Sequence, residues 1–272
     1  GTLAAEHPYG EWLKTQLVDI DDFPPAGAEQ PEHATVFSRQ QSFGYTQEDL
    51  RLLIAPMAMT GEEAVGSMGT DTALAVLSDK PRLLYDYFTQ SFAQVTNPPL
   101  DAIREELVTS MGSTIGPERN LFKADPESCR QIHIKYPIIH NEHVAKLRHL
   151  PPHVPFRSTT LSMLFDPASG GPGLEQAMTE LCRRASEAVA AGFDILIMSD
   201  RGVGPRMAPI PSLLATAGVH HHLVREGTRT KCGLVIESGD AREVHHVSLL
   251  LGYGAGVVNP YVAFETLDDM IR

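Results

Sequence analysis

Two stretches in the second half of the chain, FDILIMSD (193–200) and CGLVIES (232–238), are apolar at nearly every position. A strand with one wet face alternates apolar and polar residues. A strand that is apolar throughout is covered on both faces, the condition met in parallel sheets flanked by helices. The surrounding sequence repeats the theme. QIHIKYPII (131–139), STTLSMLFD (158–166) and AGVVNP (255–260) are further β-like runs, separated by helical patterns. The clearest helix carries Leu174, Ala177, Met178, Leu181, Cys182, Ala185, Ala188 and Val189 on one face. Asn141 is placed to cap a helix to about 149, and Pro211 to open one to about 226. Asp240 and Glu243 read as a capping pair for a helix that ends at Gly252. Five strands joined by four helices require right-handed crossovers. The expected architecture is a doubly wound sheet or part of a parallel βα barrel.

The first half reads differently. Residues 1–45 carry Pro24, Pro25 and Pro31 among acidic residues and read as an extended linker. Within it, Tyr9 and Trp12 of HPYGEWL are expected to anchor on another surface. Residues 46–112 read as helical. Thr46 and Asp49 form a capping pair, and Pro56 is expected to end that helix. A long helix should start at Asp79-Lys80-Pro81, with Leu84, Tyr87, Phe88, Phe92 and Val95 on its buried face. Pro98 and Pro99 should then restart a helix through Ile103 and Leu107.

The 272 residues hold 22 Lys and Arg against 34 Asp and Glu, a net charge of -12. That balance repels polyanions, so neither nucleic acid nor an anionic membrane is expected as a partner. No apolar run approaches the ~20 residues that span a bilayer, and GTLAAEHPYGEW has no signal-peptide character, so a cytosolic chain is expected. Cys129, Cys182 and Cys232 stand too far apart for a short-loop metal or iron–sulfur motif and read as buried structural thiols.

Candidate chemistry is sparse. In parallel α/β folds, ligand sites lie beyond the carboxyl ends of the strands. Those ends carry Asp200-Arg201-Gly202, Glu237-Ser238-Gly239 and Asn259-Pro260, which suit either a site or ordinary turn chemistry. ESGDAR (237–242) has the makings of half a phosphate grip, but Pro260 stands where the other half needs a backbone N–H. His220-His221-His222 diverge around a helix and should be packed rather than metal-binding, and His245-His246 likewise. GGPG (170–173) and GYGAG (252–256) read as helix boundaries. No catalytic, metal or cofactor-binding residue is assigned.

Taken together, several stretches resemble the central domain of the glutamate synthase large subunit. They are the run 43–106 from FGYTQEDL to NPPLDAIREE, SDRGV (199–203), IPSLLATAGVHHHLVREGTRTK (210–231) and ESGDAREVHHVSLLLGYGAGVVNPY (237–261). HPYGEWL is similar to the segment where that family leaves its amidotransferase domain. The resemblance implies an enzyme that makes two L-glutamate from L-glutamine and 2-oxoglutarate. Its amidotransferase carries an N-terminal cysteine nucleophile, where this chain has Gly1. FMN and an iron–sulfur cluster belong to a following barrel, and electrons come from an NADPH-dependent subunit or ferredoxin.

The resemblance further implies that this segment is an incomplete, rudimentary parallel βα barrel that has lost the flavin. Residues 1–45 are then a linker from the amidotransferase domain, 46–130 a mostly helical part and 131–272 the βα part. The expected role is a noncatalytic scaffold between the two active sites, in the cytoplasm or in a plastid. An independent βα-barrel enzyme that binds an anion at the strand ends is the alternative. The scaffold would help wall an ammonia passage. For that, TNPPLD (96–101) offers a proline-fixed turn in which Thr96 and Asn97 present uncharged hydrogen-bonding groups, with Pro98 and Leu100 beside them. A plain helix–helix turn capped by Asn97 explains the motif equally well.

Overall fold

The computed structural model describes residues 1–64, 74–88, 99–120 and 122–272. The first 45 residues are not irregular. They form α1 (Tyr9–Gln16), β1 (Val18–Asp19) and α2 (His33–Ser42), and bury Ile20, Phe23 and Val36. The prolines misled because Pro24, Pro25 and Pro31 fall between these elements, where they interrupt nothing. Tyr9 and Trp12 pack edge to face at 5.2 Å, with His7 beside both, and α1 lies against the 3-10 turn Pro126–Cys129.

The Thr46–Asp49 pair is reciprocal. The Thr46 N–H donates to Asp49 Oδ2 at 2.9 Å, and the Asp49 N–H to Thr46 Oγ1 at 3.1 Å. A π-helical turn, Asp49–Ile54, runs from it into α3 (Ala55–Thr60). Pro56 therefore does not end the helix. It sits in the first turn of α3, where a missing N–H is tolerated, and left-handed Gly61 (φ 71°) ends it. The long helix expected from Pro81 is also absent over 81–88. One 3-10 turn, Leu84–Tyr87, leads to an extended Phe88, and Tyr85 rather than Tyr87 is the buried ring. Phe92 and Val95 lie outside the described residues. α4 (Ala102–Val108) follows, capped by Asp101: Asp101 Oδ1 accepts from the Ile103 and Arg104 N–H groups at 3.1 and 2.9 Å, while Asn97 lies outside the described residues.

β2 (Ser113–Ile115) and β3 (Ile132–Ile134) pair antiparallel, with β1 parallel on the other side of β3. The expected 131–139 strand is thus divided, because its second half leaves this small sheet and bridges the main one at Ile138. From there helix and strand alternate: α5 (Asn141–Arg148), β4 (Ser158–Ser162), β5 (Leu164–Phe165), α6 (Gly170–Ala190), β6 (Ile195–Ser199), β7 (Ala208–Pro209), α7 (Ser212–Arg225), β8 (Gly233–Glu237), α8 (Val244–Gly252), β9 (Val257–Asn259) and α9 (Tyr261–Ile271). α9 lies beyond the last element that the sequence pattern marks.

The main sheet has the order β4-β6-β8-β9 and is parallel throughout, with Ile195 opposite both Ser158 and Gly233 and Val235 opposite Val257. Beyond β9, the Ile139 N–H donates to the Val258 carbonyl at 2.9 Å, and the Val258 N–H to the Pro137 carbonyl at 2.8 Å. Side-chain alternation divides the buried strands between two cores. Leu196, Met198, Leu234, Ile236 and Val258 face the layer of α6, α7 and α8. Ile195, Ile197, Val235 and Val257 face α5 and the small sheet, against Ile115, Ile132, Ile139 and Leu147. β5 and β7 form an antiparallel pair to one side. Among the described residues the main sheet is open, and the small sheet covers its second face.

Candidate functional site

The strand ends expected to hold chemistry do meet, and they bind one another. Asp200, fully buried, accepts the Gly239 N–H through both carboxylate oxygens, at 3.0 and 2.9 Å. Burial, and then the neighbouring Asp240 and Glu237, push its pKa well above the usual carboxylate value. Glu237, buried at the end of β8, accepts from Arg201 Nε at 2.6 Å, from Arg148 Nη2 and from Ser199 Oγ. Burial works to raise its pKa, but Arg201 and Arg148 outweigh this and hold it below the usual value. Arg201 also donates through Nη1 to Glu265 at 2.9 Å, and its guanidinium lies over the Tyr261 ring at 4.0 Å.

A second knot lies beside the first. Asp240 does not cap α8. It reaches the start of α7, where Oδ2 accepts the Ser212 N–H at 3.2 Å, and Oδ1 accepts from Tyr85 at 3.0 Å, from Ser238 at 2.6 Å and from Ser212 Oγ. A buried carboxylate surrounded by donors gains more here than at an exposed helix start. Glu243 holds the N-cap position of α8 without a side-chain capping bond. Asn141 likewise caps nothing, since its Oδ1 accepts from Asn259 Nδ2 at 2.9 Å.

Residues from the first half seal the strand ends. A Cβ on Gly239 would overlap the Phe43 ring. Tyr45 donates its hydroxyl to the Gly239 carbonyl at 3.1 Å. Arg242 donates to the Phe43 and Gly44 carbonyls at 3.1 and 3.3 Å and stacks on Tyr45 at 4.4 Å. These residues do not fit a flavin phosphate. The Gly239 N–H is taken by Asp200, Phe43 fills the approach to Gly239, and Pro260 has no N–H to offer.

The histidine runs are packed in part: His220, His222 and His245 are half-buried and His246 is buried, while His221 is exposed. His220 Nδ1 accepts from Arg229 Nε at 3.0 Å, His222 Nε2 meets Ser186 Oγ at 2.8 Å, and buried His246 stacks on Tyr85 at 4.3 Å. Among the described residues no three His, Cys, Asp or Glu side chains converge as metal ligands. Only Cys232 is a buried thiol, its pKa pushed up to about 11 by burial, while Cys129 and Cys182 are half-buried. Of the passage candidates, Thr96, Asn97 and Pro98 lie outside the described residues, and Leu100 is exposed at the surface of this chain. The residues that complete the strand-end network, Arg39, Phe43, Tyr45, Tyr85, Arg148, Tyr261 and Glu265, carry no local sequence signal, because tertiary packing brings each one in.

No described helix is long and apolar enough to cross a membrane. Compared with known proteins, residues 38–272 match the glutamate synthase central domain. The chain is 41% identical to the glutamate synthase [NADPH] large chain of Bacillus subtilis over 99% of this chain, but 17% of that protein. It is 41% identical to ferredoxin-dependent glutamate synthase 2 of Synechocystis over 97% of this chain and 17% of the relative. It is 44% identical to glutamate synthase [NADH] of Saccharomyces cerevisiae over 84% of this chain and 11% of the relative. The chain thus spans about a sixth or less of the relatives it matches, and by the extent of the match it belongs to the glutamate synthase central domain family.

Proposed function

We propose that this domain is the noncatalytic connector of a glutamate synthase. It positions a glutaminase domain and an FMN-bearing synthase domain of the same polypeptide, in an enzyme that makes two L-glutamate from L-glutamine and 2-oxoglutarate. One observation carries the reading: the Gly239 N–H, which a phosphate would claim, is held by the Asp200 carboxyl under the Phe43 ring. FMN and the iron–sulfur cluster then belong to other parts of the parent. The electron donor follows the parent too, and relatives named for NADPH, for NADH and for ferredoxin all stand among the matches. Chloroplastic relatives stand beside bacterial and fungal ones, which supports a cytoplasmic or plastid setting.

The fold is read as an incomplete, rudimentary βα barrel. Its supports are the parallel order β4-β6-β8-β9 and the parallel bridge from Ile138 to Val258, which lays the segment after β3 along β9. The small sheet and α5 occupy the face that would otherwise line the interior. Residues 1–45 lead in from the glutaminase side, and Thr96, Asn97, Pro98 and Leu100 line the ammonia passage. An exposed Leu100 suits a residue that meets another domain. Titration of the chain with FMN, followed by visible absorbance, tests the reading: no flavin should be retained, and saturable binding at micromolar FMN would overturn it.

A further inference from the structure

We propose that the pocket between residues 24–31 and the ends of β6 and α5 binds a small anion, carboxylate or phosphate, through Arg148 and Arg201. The cavity has a volume of about 350 Å³ and is walled by Gly27, Glu29, Asn141, Arg148, His149 and Arg201. It lies on the carboxyl side of the sheet, where open α/β sheets take their ligands.

Charge is the main argument. Arg39, Arg148 and Arg201 converge here from α2, α5 and the end of β6, and their side chains are only 25%, 28% and 20% exposed. They face two fully buried carboxylates, Glu237 and Glu265. Asp200 binds the Gly239 N–H instead, and burial raises its pKa well above the usual carboxylate value. Among the described residues the third positive charge is met only by Glu29, which is 73% exposed and stands 3.6 Å from Arg39 and 3.9 Å from Arg201. Those separations exceed a hydrogen bond, and a solvated ion pair of this kind holds weakly. Three largely buried guanidinium groups that share two buried carboxylates leave one positive charge in excess, and such an excess attracts an anion.

Geometry gives that counter-ion its place. Arg148 uses Nη2 on Glu237, and Arg201 uses Nε and Nη1 on Glu237 and Glu265. Arg148 Nη1 and Arg201 Nη2 have no acceptor among the described residues, and both side chains line the cavity. Two guanidinium edges around one cavity are the donors that a planar carboxylate or a phosphate engages. Glu29 is the chain's own carboxylate at the mouth, and an incoming anion displaces it. The site binds without performing chemistry, so it stands whether or not the connector reading holds.

Calorimetry on the full-length protein, at fixed ionic strength, with succinate and inorganic phosphate as separate probes, tests the proposal. At least one probe should saturate at millimolar concentration or below, and the tighter probe identifies the ligand's source. Glu29→Gln removes the competing carboxylate from an exposed position and should tighten binding about threefold. Arg148→Gln should weaken it about tenfold or more, and Arg148→Lys, which keeps the charge beside Glu237, should weaken it by less. Absence of saturable binding in both the unaltered protein and Glu29→Gln, or binding indifferent to all three substitutions, would overturn it.

Discussion

The carboxyl of Asp200 accepts the backbone N–H of Gly239 through both of its oxygens, joining the end of β6 to the turn after β8. Burial raises the Asp200 pKa above 3.8, so the folded state binds a proton that the unfolded state has released. Its contribution to stability is complete below the unfolded value and is lost as pH rises through the folded one. Asp200→Asn keeps an acceptor for Gly239 and removes the titration. The variant should gain on the unaltered protein by about 1.4 kcal/mol per pH unit over that interval. Urea unfolding at pH 5, 6.5 and 8 reads this directly, and parallel stabilities across the series would refute it.

His246 imposes the opposite slope. Burial, then Arg242 and His245, push its pKa from 6.5 down to about 3. It is therefore neutral in the fold, and stability present above pH 6.5 is lost as pH falls towards the folded value. At pH 5 the loss should be about 2 kcal/mol. His246→Phe keeps a ring on Tyr85 but gives up the Arg242 N–H, which His246 Nδ1 accepts at 3.3 Å. The variant should be less stable at pH 7.5, yet it should lose less than the unaltered protein between pH 7 and 5.

Gly239 has no room for a side chain. Gly239→Ala drives a methyl group into the Phe43 ring and should cost about 1–3 kcal/mol. Phe43→Ala should cost about 3–5 kcal/mol by itself. Because the truncated ring no longer opposes the methyl group, the double variant should be more stable than the sum of the two losses implies. Strict additivity in denaturant unfolding would mean that Phe43 does not lie against Gly239.

The turn before α4 separates two roles. Asp101 caps this helix, so Asp101→Ala should destabilise the domain by about 1 kcal/mol with little effect on coupling of the two reactions. If Asn97 lines the ammonia passage, Asn97→Ala in the parent enzyme should let glutamine consumption exceed glutamate formation, while added ammonia is still used. Stoichiometric coupling in Asn97→Ala would remove it from the passage.

The parallel strands, the long face of α6 and the family were legible in the residues alone. Burial on both faces is written into the composition of each strand, as in ILIMS and GLVIE. The reciprocal Thr46–Asp49 cap was legible too, since both partners lie within one turn. Local rules failed where a distant partner offered more. Asp240 and Asn141 have capping residue types, but Ser212, Tyr85 and Asn259 supply buried hydrogen bonds that exposed helix starts do not. Residues 1–45 have a linker's composition, yet Ile20 and Phe23 complete a core that the open sheet would otherwise expose. The convergence of Arg148 and Arg201 on Glu237, 89 and 36 residues away, has no period or spacing to announce it. Periodicity reports what a segment does within itself; which charges meet at the strand ends was decided only when the chain closed around them.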